Sequence, residues 1–93
     1  MGIQSVGIIG AGTMGNGIAQ VAAGAGFDVI LLDINDAALE KGLAALSKSL
    51  DRLIKKESIT SEQKAQTLAR IKTTTLYTDL ASVSLVIEAA TEN

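Results

Sequence analysis

The chain has 93 residues, room for one small domain, and its core must come from Ile, Leu, Val and Ala because only two residues are aromatic. A net charge of −2 argues against a nucleic-acid binder, which needs a basic face, and no apolar run approaches the ~20 residues of a membrane span. With no cysteine there are no disulfides and no thiolate metal sites.

In chain order, residues 3–9 predict a buried strand, with Val6-Gly7-Ile8-Ile9 as its apolar run. The stretch Gly10-Ala11-Gly12-Thr13-Met14-Gly15 follows. Residues 13–25 predict a helix rich in small residues, which suits close packing on a sheet, and Gly24-Ala25-Gly26 ends it with a glycine cap. Residues 27–33 predict a second strand ending at Asp33. One crossover helix fits between the two strands, so they are expected to be parallel with a right-handed connection.

Strand, glycine turn, helix, strand and acid form the layout of a dinucleotide-binding βαβ unit. Gly10 allows a sharp turn out of the strand. Gly12 leaves room for a pyrophosphate, and Gly15 lets the helix pack closely on the sheet. The helix N-terminus offers unpaired N–H groups to the phosphates. Asp33 can accept hydrogen bonds from both hydroxyls of the adenosine ribose. With Ile34 and Asn35 after it, no adjacent arginine offers a partner to a 2′-phosphate.

Asn35 or Asp36 can cap the next helix, on which Leu39, Leu43, Leu46, Leu50 and Leu53 share one face for the core. Glu40, Lys41, Lys48, Asp51, Arg52, Lys55 and Lys56 fall on the opposite face. Gly42, inside the helix, points to a close neighbour. Ser58-Ile59-Thr60 breaks the helix, and Thr60-Ser61-Glu62-Gln63 has the form of a capping box. A second helix is expected to reach Lys72, with Ala65, Leu68, Ala69 and Ile71 inward. The third strand is expected near residues 73–77, a turn at Asp79–Ser82 and the fourth strand at residues 84–88. The doubly wound order places the first strand centrally, giving 3-2-1-4 with a helical hairpin between strands 2 and 3. Glu88 reads as a buried strand acid with a structural hydrogen bond.

The run Gly10-Ala11-Gly12-Thr13-Met14-Gly15-Asn16-Gly17-Ile18-Ala19-Gln20 resembles the opening of the 3-hydroxyacyl-CoA dehydrogenase family, and within it the bacterial 3-hydroxybutyryl-CoA dehydrogenase branch. The helical hairpin and the closing Val86-Ile87-Glu88-Ala89-Ala90-Thr91-Glu92-Asn93 extend the resemblance over the whole chain. It implies a Rossmann-type α/β fold, NAD as cofactor, and hydride transfer between 3-hydroxyacyl-CoA and NAD. By resemblance Asp33 holds the adenosine ribose, Ala89 and Ala90 line the cofactor cleft, and Glu92 reaches towards the nicotinamide ribose. The expected cofactor-binding set is Gly10, Ala11, Gly12, Thr13, Met14, Gly15, Asp33, Ile34, Ala89, Ala90 and Glu92.

Members of this family continue with more sheet, a His–Glu catalytic pair and a helical C-terminal domain. Residues 1–93 therefore resemble the N-terminal part of the NAD-binding domain, a truncated domain, and no catalytic or metal-binding residue carries over. The lack of histidine fits, since the commonest general base is missing. The alternatives are a stand-alone dinucleotide-binding module without catalysis, and an interaction fragment folded only with a partner chain. An FAD-binding or other β-hydroxyacid dehydrogenase origin fits the glycine run less well. The expected setting is cytoplasmic and homo-oligomeric, without nucleic acid or membrane, and with acyl-CoA as partner only in the intact enzyme. An edge at Leu85, Val86 and Ile87 is expected to favour self-association.

Overall fold

The computed structural model describes residues 4–89. Four parallel strands, β1 (Ser5–Ile9), β2 (Asp28–Leu32), β3 (Ile71–Thr74) and β4 (Leu85–Glu88), form one sheet in the order β3-β2-β1-β4. Helix α1 (Thr13–Gly24) crosses from β1 to β2. Helices α2 (Asp36–Lys55) and α3 (Ser61–Ala69) form the hairpin between β2 and β3. This is the expected Rossmann-type order, with Ile8 set beside Leu31 and Ile87 across the centre of the sheet.

Alternation along β1 sorts the two faces. Ile8 lies towards α1, since a Cβ on Gly15 would stand 3.6 Å from its Cγ2. Gly7 therefore faces the other way, where a Cβ would meet Leu80 Cδ2 at 2.7 Å. Leu80 belongs to a 3-10 turn (Tyr77–Leu80) that plugs this second face. The central strands carry most of the core: Ile8, Val29, Leu31 and Leu32 are fully buried, together with Leu46 from α2. The leucine stripe faces this core as expected, with Leu39, Leu46 and Leu50 buried and Leu43 and Leu53 half-buried.

The caps explain where the helices start and stop. Gly26, at φ 104°, takes the left-handed conformation past the end of α1. Asn35 caps α2, its Oδ1 accepting from the N–H groups of Ala37 at 2.7 Å and Ala38 at 3.3 Å. At α3 both halves of the capping box form: Gln63 N–H donates to Thr60 Oγ1 at 3.1 Å, and Thr60 N–H to Gln63 Oε1 at 2.8 Å. Lys64 and Asp51 pair at 2.6 Å across the hairpin.

Several boundaries differ from the sequence reading. β1 starts at Ser5 among the described residues. α2 stops at Lys55, before the expected break, because Glu57 turns the chain at φ 61° without a glycine. α3 stops at Ala69, short of Lys72, and β3 runs Ile71–Thr74 rather than 73–77. Ile71 and the run Thr73 to Thr75 are β-branched and belong with the sheet, where such side chains pack well. The buried positions of α3 are correspondingly Thr67 and, in part, Leu68, while Ala65 and Ala69 are exposed. Glu88 is exposed rather than buried, because β4 is an edge strand whose far side has no neighbour among the described residues. Leu85 and Val86 on the same strand are also exposed, as expected.

Candidate functional site

The strand ends on either side of the β1–α1 turn open onto a cleft of about 770 Å³. Gly10 makes the turn at φ 107°, a conformation other residues rarely adopt. Its N–H donates to Leu32 O at 2.7 Å, which ties the turn to the end of β2. Gly15 then passes so close to this turn that a Cβ would fall 1.7 Å from Gly10 O. These two glycines are required by the fold.

Gly12 is different. It is the N-cap of α1, with φ −72° and ψ −164°, values open to any residue. A Cβ there would have no protein atom within 4 Å. It lines the cleft, and a Cβ there would enter open space rather than the packing. No side chain caps α1, and no acidic residue stands in its first turn. The N–H groups at the start of the helix therefore point outward without an intrahelical acceptor.

Asp33 closes the other side. It is half-buried past the end of β2, its N–H donating to Thr74 O at 3.2 Å. Its Oδ2 accepts from Ala11 N–H at 2.9 Å. The acid thus braces the glycine turn while its carboxylate lines the cleft. Ala89, held by its N–H on Ile9 O at 2.8 Å, lies on the cleft wall beyond β4.

Of the expected residues, Gly10, Ala11, Gly12, Thr13, Met14, Asp33 and Ala89 line this one cleft. Gly15 is buried beneath it. Ile34 is 81% exposed and is not on the cleft wall. Ala90 and Glu92 lie outside the described residues. Sequence reasoning missed Asn16 on α1 and a wall formed by Ala38, Lys41, Gly42 and Ala45 on α2. The small residues at 38, 42 and 45 share one helical face, and that spacing was a usable signal. Gly42 is the close approach its position pointed to, since a Cβ would come within 2.7 Å of Ala11 O. For Lys41 no signal separated it from the other charges of the helix.

Comparison with known proteins agrees with this geometry. Residues 5–93 match the family model described as 3-hydroxyacyl-CoA dehydrogenase, NAD binding domain. A 3-hydroxybutyryl-CoA dehydrogenase of Bradyrhizobium diazoefficiens is 49% identical over 97% of this chain and 31% of its own length. The crystal structure of (S)-3-hydroxybutyryl-CoA dehydrogenase PaaH1 from Ralstonia eutropha superposes with a TM-score of 0.96 at 60% identity, covering 99% of this chain and 32% of that one. FadB2 of M. tuberculosis gives a TM-score of 0.97 at 38% identity, over 100% of this chain and 33% of that one. The chain thus spans about a third of the length of these relatives. With its glycine turn, its acid and its sheet order all in place, the chain belongs to the NAD-binding domain family of the 3-hydroxyacyl-CoA dehydrogenases.

Proposed function

We propose that residues 1–93 are the cofactor-binding part of a longer NAD-dependent dehydrogenase that interconverts 3-hydroxyacyl-CoA, with 3-hydroxybutyryl-CoA as the leading substrate, and 3-ketoacyl-CoA. The observation that carries this is Gly12, a glycine that neither backbone conformation nor packing requires, lining the cleft at an uncapped helix N-terminus. A pyrophosphate fits that place, because it needs close backbone approach and several unpaired N–H donors. The N–H groups of residues 12–15 bind it, and the Asp33 carboxylate accepts from the adenosine ribose. Ala89 is the cleft wall beyond β4, and from the family resemblance we also assign Ala90 and Glu92 to cofactor binding. Bound NAD supplies the hydride acceptor.

This chain holds and orients the cofactor, and the base that takes the hydroxyl proton comes from elsewhere in the longer enzyme. The absence of histidine supports that division of labour. Acyl-CoA is then a partner of the intact enzyme, which we also propose to be a cytoplasmic homo-oligomer.

The test is a titration with NADH and NADPH. A 2′-phosphate would meet the Asp33 carboxylate at close range, so NADH should bind at least tenfold more tightly, roughly 1.4 kcal/mol. Asp33→Ala should erase that preference. Equal affinity of the wild type for both cofactors contradicts the reading, as does an unchanged preference in the variant.

A further inference from the structure

Lys41 is the one cation among the described residues that line the cofactor cleft, and nothing in the family resemblance gave it a role. It lies on α2, on the same wall as Ala38, Gly42 and Ala45. Those three are too small to project into the cleft, so Lys41 is the only long side chain that α2 contributes there. The helix is also held at a fixed distance. Gly42 packs so tightly on the glycine turn that a Cβ would come within 2.7 Å of Ala11 O and 3.3 Å of Ala11 Cβ. Lys41 is the next residue, its Cα about 3.8 Å from that of Gly42. Its four-carbon stem starts on the cleft wall and carries a mobile ammonium with three donors.

The charge has no local use. The only ion pair among the described residues joins Lys64 to Asp51 on the hairpin. The other cations of α2, Lys48, Arg52, Lys55 and Lys56, are not part of the cleft wall. The cleft thus combines one carboxylate at Asp33, one ammonium at Lys41, and the outward N–H groups of an uncapped helix. An anion in this cleft is favoured both by the positive end of the α1 dipole and by the Lys41 charge.

We propose that Lys41 is a phosphate-binding residue of this site, whose ammonium donates to a phosphate oxygen of the dinucleotide's pyrophosphate. The inference rests on the proposed function of the cleft and adds to it a second wall for the pyrophosphate, supplied by α2. Helix α1 offers oriented backbone N–H groups, and α2 offers a full charge on the wall of the same cleft. A charge at that place also makes binding depend on ionic strength, which neutral N–H donors do less.

Wild type, Lys41→Met and Lys41→Arg are titrated with NADH, ADP, adenosine and coenzyme A, each at low and high salt. Methionine keeps the length and helix propensity of the side chain and removes the charge. NADH and ADP should bind Lys41→Met roughly three- to tenfold more weakly, as expected for one partly solvated charge contact. Adenosine should bind both proteins equally, Lys41→Arg should restore most of the loss, and the salt dependence should be shallower in Lys41→Met. Unchanged ADP and NADH affinity in Lys41→Met, with wild-type binding intact, overturns the role of Lys41 alone. An equal loss for adenosine overturns it too, because it points to a displaced α2. A loss confined to coenzyme A assigns the charge to the substrate and also overturns the proposal. A wild type that binds neither NADH nor ADP overturns the reading of the cleft, and the inference with it.

Discussion

The N-terminus of α1 and those of α2 and α3 solve the same problem in opposite ways. Each helix starts with N–H groups that have no intrahelical acceptor. In α2 the Asn35 side chain accepts from two of them and Asp36 adds a negative charge. In α3 a complete capping box does the same, with Glu62 in the first turn. α1 has neither a cap nor an acid, and its N-cap is Gly12, which has no side chain to offer. All three ends are exposed; the start of α1 lines the cleft with Gly12, Thr13 and Met14, and of the two capped ends only that of α2 touches it, through Ala38, whose N–H Asn35 already satisfies. A missing cap costs about 1 kcal/mol. Helix α1 thus leaves its donors open where strand ends, an acid and a second helix converge.

The contrast can be broken most severely at Gly15. Its Cβ in Gly15→Ala would overlap Gly10 O, so the turn or the helix must move. We expect a loss of about 3 kcal/mol or more, or failure to fold, in thermal melts. Gly12→Ala should stay within ~1 kcal/mol of the wild type, because its Cβ enters open space. Similar melting of the two variants would mean that the two glycines are not different in kind.

The next largest effect is on binding. Gly12→Val should abolish NADH binding while circular dichroism shows nearly unchanged helix content. Retained binding would place the pyrophosphate away from this turn. At the capped ends, Asn35→Ala and Thr60→Ala should each cost ~1 kcal/mol of stability. Neither should change NADH affinity by more than about twofold, roughly 0.4 kcal/mol. A large affinity change in Thr60→Ala would show that the two kinds of helix start are coupled. The smallest expected effect is a gain. Gly12→Asp should cap α1 and stabilise the free protein by a few tenths of a kcal/mol. The same carboxylate should repel a pyrophosphate, so the melting temperature rises slightly while NADH binding is lost.

Much of this contrast could be read before the structure. Asn35, the Thr60–Gln63 box, the leucine stripe and the glycine turn are local signals, carried by residues a few positions apart. The sheet order follows from chain-wide rules for parallel crossovers. What was missed depends on distant contacts. Residues 70–72 continue a helical pattern in sequence, yet Arg70 O accepts from Val29 N–H at 2.8 Å and draws the next residues into the sheet. Glu57 ends α2 with a left-handed turn that a non-glycine residue rarely takes, so no residue type announced it. The α2 wall of the cleft shows only when Gly42 is seen against Ala11 O, two residues far apart in the chain. Lys41 is one charge among many on its helix until that contact fixes its place.

The most direct measurement is the shift of backbone amide resonances on adding NAD to the isotopically labelled chain. The amides of residues 10–16 should move together with that of Asp33, while those of the α3 cap, Thr60 to Gln63, stay in place. Saturating NAD that leaves Gly12 to Gly15 unmoved, or that moves the α3 cap instead, would contradict the assignment of the cofactor to this cleft.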